Sequence, residues 1–103
     1  MIRQIQGVIP VVHTPFLENG ELDRASLVRE LEWACSLDID GLCTGMVSEL
    51  LRLDDVEREI LHQWIGEFDR GDRSFVASVG AESTEQAVQY AQMARQAGAD
   101  AVM

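Results

Sequence analysis

The residue types that could do covalent chemistry in this chain are few. It contains no lysine, and arginine stays protonated at any working pH. No side-chain amine is therefore available to condense with a carbonyl. Cys35 and Cys43 are the only cysteines, and His13 and His62 the only histidines. Two thiols without a Cys/His set around them make neither a disulfide framework nor a zinc site. Cys35 falls on the apolar stripe of a predicted helix and Cys43 in a predicted strand, so both read as buried, inert thiols. The histidines are far apart in sequence, form no i, i+4 pair, and are assigned no metal. What remains is binding chemistry in two segments that each follow a predicted strand. These are Thr14-Pro15 and the loop Gly45-Met46-Val47-Ser48-Glu49. A loop that runs into a helix presents backbone N–H groups, which suits a small anion.

The elements that would hold these segments alternate. Gly7-Val8-Ile9-Pro10-Val11-Val12 is nearly continuous and β-branched, as expected of a first strand buried on both faces. Pro15 and the Glu18-Asn19-Gly20 turn close it. A helix is predicted from Asp23, which caps its first turn, with Leu27, Leu31, Ala34 and Cys35 on one face and Val28 beside them. Gly41 to Gly45 reads as a second strand. The next helix opens on a capping box, Asp54 with Glu57, and its predicted buried stripe is Val56, Ile60, Trp64 and Ile65. A Gly71-Asp72-Arg73 turn precedes a third strand over Phe75 to Val79. Ser83 and Gln86 form another capping box, and Ala87, Tyr90, Ala91 and Ala94 line one face before Gly98 stops the helix. Asp100 to Met103 begins a fourth strand. Ending on Ala101-Val102-Met103, with no stop signal, predicts a domain that continues.

Leu37-Asp38-Ile39-Asp40-Gly41-Leu42 resembles Ala97-Gly98-Ala99-Asp100-Ala101-Val102, so Asp100 repeats Asp40 sixty residues later. That spacing suits two βα units of about thirty residues each. Alternation at this period implies a parallel sheet with right-handed crossovers. Pattern alone fits a barrel or an open doubly wound sheet. No Gly-x-Gly-x-x-Gly follows a strand, which removes the main support for dinucleotide binding.

Composition removes other classes. Eighteen acidic residues against eight arginines give a net charge of −10. No basic cluster exists to displace counterions from phosphates, so nucleic acid and anionic membrane surfaces are disfavoured partners. No apolar run approaches the roughly 20 residues of a spanning helix, and the Met1-Ile2-Arg3-Gln4 start lacks a signal-peptide core. A soluble, cytoplasmic protein is expected.

Four ordered stretches resemble the pyruvate-dependent aldolases typified by dihydrodipicolinate synthase and N-acetylneuraminate lyase. The first runs from Gly7 through His13-Thr14-Pro15-Phe16 to Leu22-Asp23. The second is Asp40-Gly41-Leu42 leading into Gly45 to Glu49, where the family writes Gly-Thr-Thr-Gly-Glu. Leu53 with Asp55 to Arg58 resembles the start of the family's second helix. Val79 to Ala87, running on to Val102, matches its third unit. The resemblance implies a (β/α)8 TIM barrel, with residues 1–103 as the N-terminal part of one truncated barrel domain: three βα units and the start of strand 4. It further implies a lyase or aldolase that takes pyruvate or a related 2-oxo acid through a lysine Schiff base. No metal or organic cofactor is implied, and the full-length protein would be a homo-oligomer, dimer or tetramer.

The same resemblance makes Thr14, Met46, Val47, Ser48 and Glu49 the expected substrate-binding residues. Val47 and Ser48 would offer backbone amides to the carboxylate. No catalytic residue lies within the chain, because the Schiff-base lysine and catalytic tyrosine are expected after Met103. Met46 and Val47 replace the family's two threonines, one a proton-relay hydroxyl and the other a donor to the substrate. Losing a donor to a charged ligand costs about 1.5–3 kcal/mol. Synthase activity itself is therefore disfavoured, and Ser48 is the remaining hydroxyl. Glu49 reads as an orienting carboxylate, Thr14 as a turn residue before Pro15, and His13 as a core histidine if it faces the helices. Trp33 and Trp64 read as packing or oligomer contacts, and Tyr90, in mid-helix, is not the catalytic tyrosine. The alternative is a non-catalytic barrel relative that binds a small carboxylate, or an inactive truncated fragment. Residues 1–103 alone, with two open sheet edges, are expected to aggregate or fold marginally.

Overall fold

A computed structural model describes residues 4–45 and 49–103. Three parallel strands, β1 (Gly41–Cys43), β2 (Ser74–Ala77) and β3 (Ala101–Val102), alternate with α1 (Arg24–Cys35), α2 (Asp55–Glu67) and α3 (Thr84–Gln96). A 3-10 turn, Leu50–Arg52, precedes α2. The strands lie in sequence order, with Leu42 opposite Phe75 and Val76 opposite Ala101. Strand order that never reverses, with right-handed crossovers, places every helix on one face of the sheet. That is the geometry of a closing barrel, whereas a doubly wound sheet reverses direction.

The caps form as local chemistry dictates. Asp23 accepts the Ser26 N–H at 3.0 Å, and Asp54 and Glu57 close a reciprocal box on α2. Ser83 accepts from Gln86 N at 3.1 Å, but the Gln86 amide turns away to the Tyr90 hydroxyl, so that box stays half made. Gly98 ends α3 at φ +93, a backbone region open to glycine.

Two expectations need correction. Residues 7–12 do not form a strand buried on both faces. They run beside β1, with Asp40 N donating to Val8 O, Cys43 N to Pro10 O and Val12 N to Cys43 O, yet only one isolated parallel bridge forms, Val11 to Cys43. Pro10 has no N–H to give. Val8 is 60% exposed and only Val12 is buried, because no strand flanks the outer side among the described residues.

The predicted stripe of α2 holds only in part: Ile65 is buried, Ile60 and Trp64 are half-buried, and Val56 does not belong to it. Val56 is 64% exposed, and Arg58, Leu61, His62 and Ile65 face inward. Nine residues at about 100° each put Val56 on the opposite side from Ile65. The true stripe keeps i, i+3, i+4, i+7 spacing but carries an arginine and a histidine, which an apolar count passes over.

The core joins Leu27 and Leu31 of α1, Leu42 and Phe75 of the sheet, and Leu61 and Ile65 of α2. Tyr90 and Ala94 are the buried members of the α3 face, with Ala87 and Ala91 half-buried. Trp33 is 65% exposed, whereas Trp64 is half-buried under the Arg24 guanidinium. Among the described residues no helix is long and apolar enough to cross a membrane.

The strand starts carry a matched pair of clasps. Asp40 Oδ2 accepts the Val8 N–H at 2.7 Å, and Asp100 Oδ2 accepts the Phe75 N–H at 2.8 Å. The sixty-residue repeat is thus a repeated contact, Asp40 fixing the start of the first extended segment and Asp100 the start of β2. Gly7, at φ +85, leaves room where a side chain would collide with the Asp40 carboxylate.

Candidate carboxylate-binding site at the strand ends

The C-terminal ends of the strands bring together the two loops singled out in the sequence. Residues 11–14 leave the first extended segment, and Thr44-Gly45 leave β1. Of the expected binding residues, Met46, Val47 and Ser48 lie outside the described residues. Thr14 and Glu49 are placed, and they meet. Glu49 Oε2 accepts the Thr14 N–H at 3.1 Å, and its Oε1 is 3.9 Å from His13 Nδ1. Glu30, on α1, accepts the neighbouring His13 N–H at 2.7 Å.

These contacts fix what each group can do. The Thr14 N–H, the largest influence on Glu49, holds its carboxyl below the usual range. A general acid at neutral pH needs the opposite shift, so Glu49 is an ionised clamp between two loops. Burial is the main reason that the Glu30 carboxyl is raised. His13 is no core histidine, because its side chain is 73% exposed beside Glu49. Thr14 is buried, and its Oγ1 has no hydrogen-bond partner among the described residues. Cys43 is buried, its thiol pushed up by desolvation, and Cys35 is half-buried. Among the described residues no group of three His, Cys, Asp or Glu could hold a metal ion.

Beneath the loops lies a polar group that sequence reasoning missed. Thr44 Oγ1 is 2.9 Å from His62 Nε2 and accepts the Ser78 N–H at 3.0 Å. Thr44, His62 and Ser78 are each less than 5% exposed. Burial, with a smaller contribution from Arg58, lowers the His62 pKa to about 4, so the ring is neutral at physiological pH. Ser78 Oγ in turn accepts the Gly80 N–H at 3.3 Å, and Arg58 Nη2 donates to Gly80 O at 3.0 Å. The Arg58 guanidinium lies 4.1 Å over the Tyr90 ring, whose hydroxyl donates to Asp55. Tyr90 thus ties α3 to α2.

A sequence model of the dihydrodipicolinate synthetase family matches residues 4–103. The chain belongs to this family. It is 35% identical over 100 residues to the 4-hydroxy-tetrahydrodipicolinate synthase of Bartonella bacilliformis, covering 96% of this chain and 34% of that protein. Against the N-acetylneuraminate lyase of Citrobacter koseri it is 35% identical over 103 residues, covering 99% and 35%. A solved structure of YagE, an Escherichia coli K12 prophage protein of the dihydrodipicolinic acid synthase family in complex with pyruvate, superposes with a TM-score of 0.87. That match has 26% identity and covers 93% of this chain and 33% of the other. The chain spans about a third of the length of the curated relatives it matches. Its fold is the corresponding N-terminal part of a TIM barrel, and the paired loops lie at the strand ends where such barrels build their sites.

Proposed function

We propose that the protein is a lyase or aldolase acting on pyruvate or a related 2-oxo acid, and that residues 1–103 form the N-terminal part of one barrel domain. The observation that carries this reading is the pairing of Thr14 with Glu49. It draws the first loop against the second at the C-terminal ends of parallel strands. In the proposed site the segment Met46-Val47-Ser48 presents backbone N–H groups to the substrate carboxylate, and Ser48 supplies the one hydroxyl among them. Glu49 and Thr14 hold that segment in place. A lysine following Met103 supplies the amine: it condenses with the ketone, water leaves, and the iminium accepts the electron pair of a carbon–carbon bond that breaks, or loses a proton to an enamine that donates the pair to a bond that forms. A tyrosine beyond Met103 is the proton carrier. No metal or organic cofactor takes part. The working protein is a cytoplasmic homo-oligomer with a small 2-oxo acid as its partner, and neither nucleic acid nor membrane is bound.

Met46 and Val47 favour an acceptor other than that of the synthase, since neither side chain can pass or donate a proton. They also support a second reading, a barrel relative that binds a small carboxylate without turnover. The two readings part on one experiment: intact mass of the protein from its complete native gene after incubation with pyruvate and borohydride. One reduced pyruvate adduct on a lysine supports the enzyme. A folded protein with no adduct that still binds pyruvate supports the binder.

A further inference from the structure

The inner face of α2 presents polar side chains to both strand ends. His62 reaches the end of β1 through Thr44, and Arg58 reaches the loop after β2 through Gly80 O. A helix that served only to cover the sheet would be best filled at position 62 by an aliphatic side chain, since burying imidazole costs unless it is hydrogen-bonded. Here Thr44 Oγ1 supplies the partner. The same oxygen accepts the Ser78 N–H, so one hydroxyl holds the ends of β1 and β2 in register. Thr44 also donates its own N–H to Val76 O at 3.1 Å, so its backbone and its side chain are both committed. The next residue is Gly45, where the candidate carboxylate-holding loop begins. Phe75 flanks the imidazole, with ring centroids 5.9 Å apart, which limits how far the ring can swing.

We propose that His62 is a positioning residue for substrate binding: through Thr44 it fixes the end of β1 and so the place of Gly45, from which the candidate carboxylate-holding loop departs. This rests on the reading of the loop as the carboxylate holder. A hydroxyl that accepts one N–H and shares a proton with a ring has little rotational freedom. Buried networks of this kind orient groups more than they add stability.

The test uses the protein from its complete native gene, with variants H62L, H62Q and T44V. Two readouts are taken: the pyruvate concentration giving half-maximal borohydride-trapped adduct, and amide hydrogen exchange at Gly45 and Ser78. The expected result is that H62L and T44V raise the half-maximal concentration about tenfold without lowering the final yield. H62Q, whose amide can still reach Thr44 Oγ1, should stay within about threefold of the parent. The Gly45 and Ser78 amides should exchange faster in H62L and T44V than in the parent, with those of α1 unchanged. Half-maximal concentrations equal to the parent's in folded H62L and T44V would overturn the proposal. If H62L fails to fold, T44V and H62Q decide by the same criteria. If the parent protein forms no adduct, the lyase reading fails by itself. Exchange then decides: local loosening at Gly45 and Ser78 in H62L keeps His62 as the positioning residue of a binding loop, and unchanged exchange removes it.

Discussion

At the N-terminal ends of the strands, Asp40 and Asp100 hold strand starts by carboxylate-to-amide contacts, with the buried Arg70 lying 3.6 Å from Asp100 and Arg73 reaching Cys35 O. At the C-terminal ends the buried group joining β1 to β2 is uncharged, a threonine hydroxyl, a serine and a neutral imidazole, with Arg58 on Gly80 O and Glu30 on the His13 N–H at its edges. The one carboxylate between the loops, Glu49, is occupied by the Thr14 N–H. Charge suits an end that only has to hold strands together. For the end proposed to receive an anion, a neutral buried group is the better support, because it leaves backbone N–H groups to set the local field. The division matches the general separation in barrels between a stabilising end and a reactive one.

Breaking the first end should cost most stability. Asp100→Ala removes the acceptor of Phe75 N–H and the charge facing Arg70, which is 8% exposed. Removing one partner of a buried pair costs about 3 kcal/mol or more, read as a lowered urea midpoint, with pyruvate affinity of the folded fraction unchanged. Asp40→Ala, at an exposed contact, should cost only about 1 kcal/mol.

The second effect is pH-dependent. His62 has its pKa lowered from 6.5 to about 4 in the folded state. Between those values the unfolded chain binds more protons, so stability is full above about 6.5 and falls as pH drops towards 4. The whole loss is about 3 kcal/mol. Thermal melts across this window should show it in the parent and not in H62Q.

Glu49→Ala sharpens the contrast from the other side. It should cost about 1 kcal/mol of stability, the worth of one hydrogen bond, yet weaken pyruvate binding about tenfold by freeing the two loops. With its carboxyl held below the usual value, the Glu49 contribution is present above ordinary carboxylate pKa values and lost as pH falls through the lowered one. Smallest of all, Val56→Ser should change stability by less than about 0.5 kcal/mol, because the side chain packs on nothing that matters to the core.

Much of the scaffold is legible in the sequence, and the reason is locality. Asp23, Asp54, Glu57, Ser83 and Gly98 act within a few residues of themselves, so their roles need no tertiary knowledge. The Asp40–Asp100 repeat is visible too, although its meaning depends on amides 32 and 25 residues away. The phase of α2 is not legible from apolar positions. Arg58 and His62 become tolerable inside only because Gly80 O and Thr44 wait for them, and those partners belong to other βα units. The first segment fails for a similar reason: its β-branched run promises burial on both faces, which only a flanking neighbour could provide. In the site, Thr14 and Glu49 were marked by their place after strands, but their contact and the support from His62 emerge only once the units pack.

The most direct test of the division between the two ends is an amide chemical-shift map of the complete native protein with and without pyruvate. Binding at the strand ends predicts shifts at Thr14, Gly45, Glu49 and Ser78 and none at Val8 or Phe75. Shifts confined to Val8 and Phe75, or none at saturating pyruvate, would contradict it.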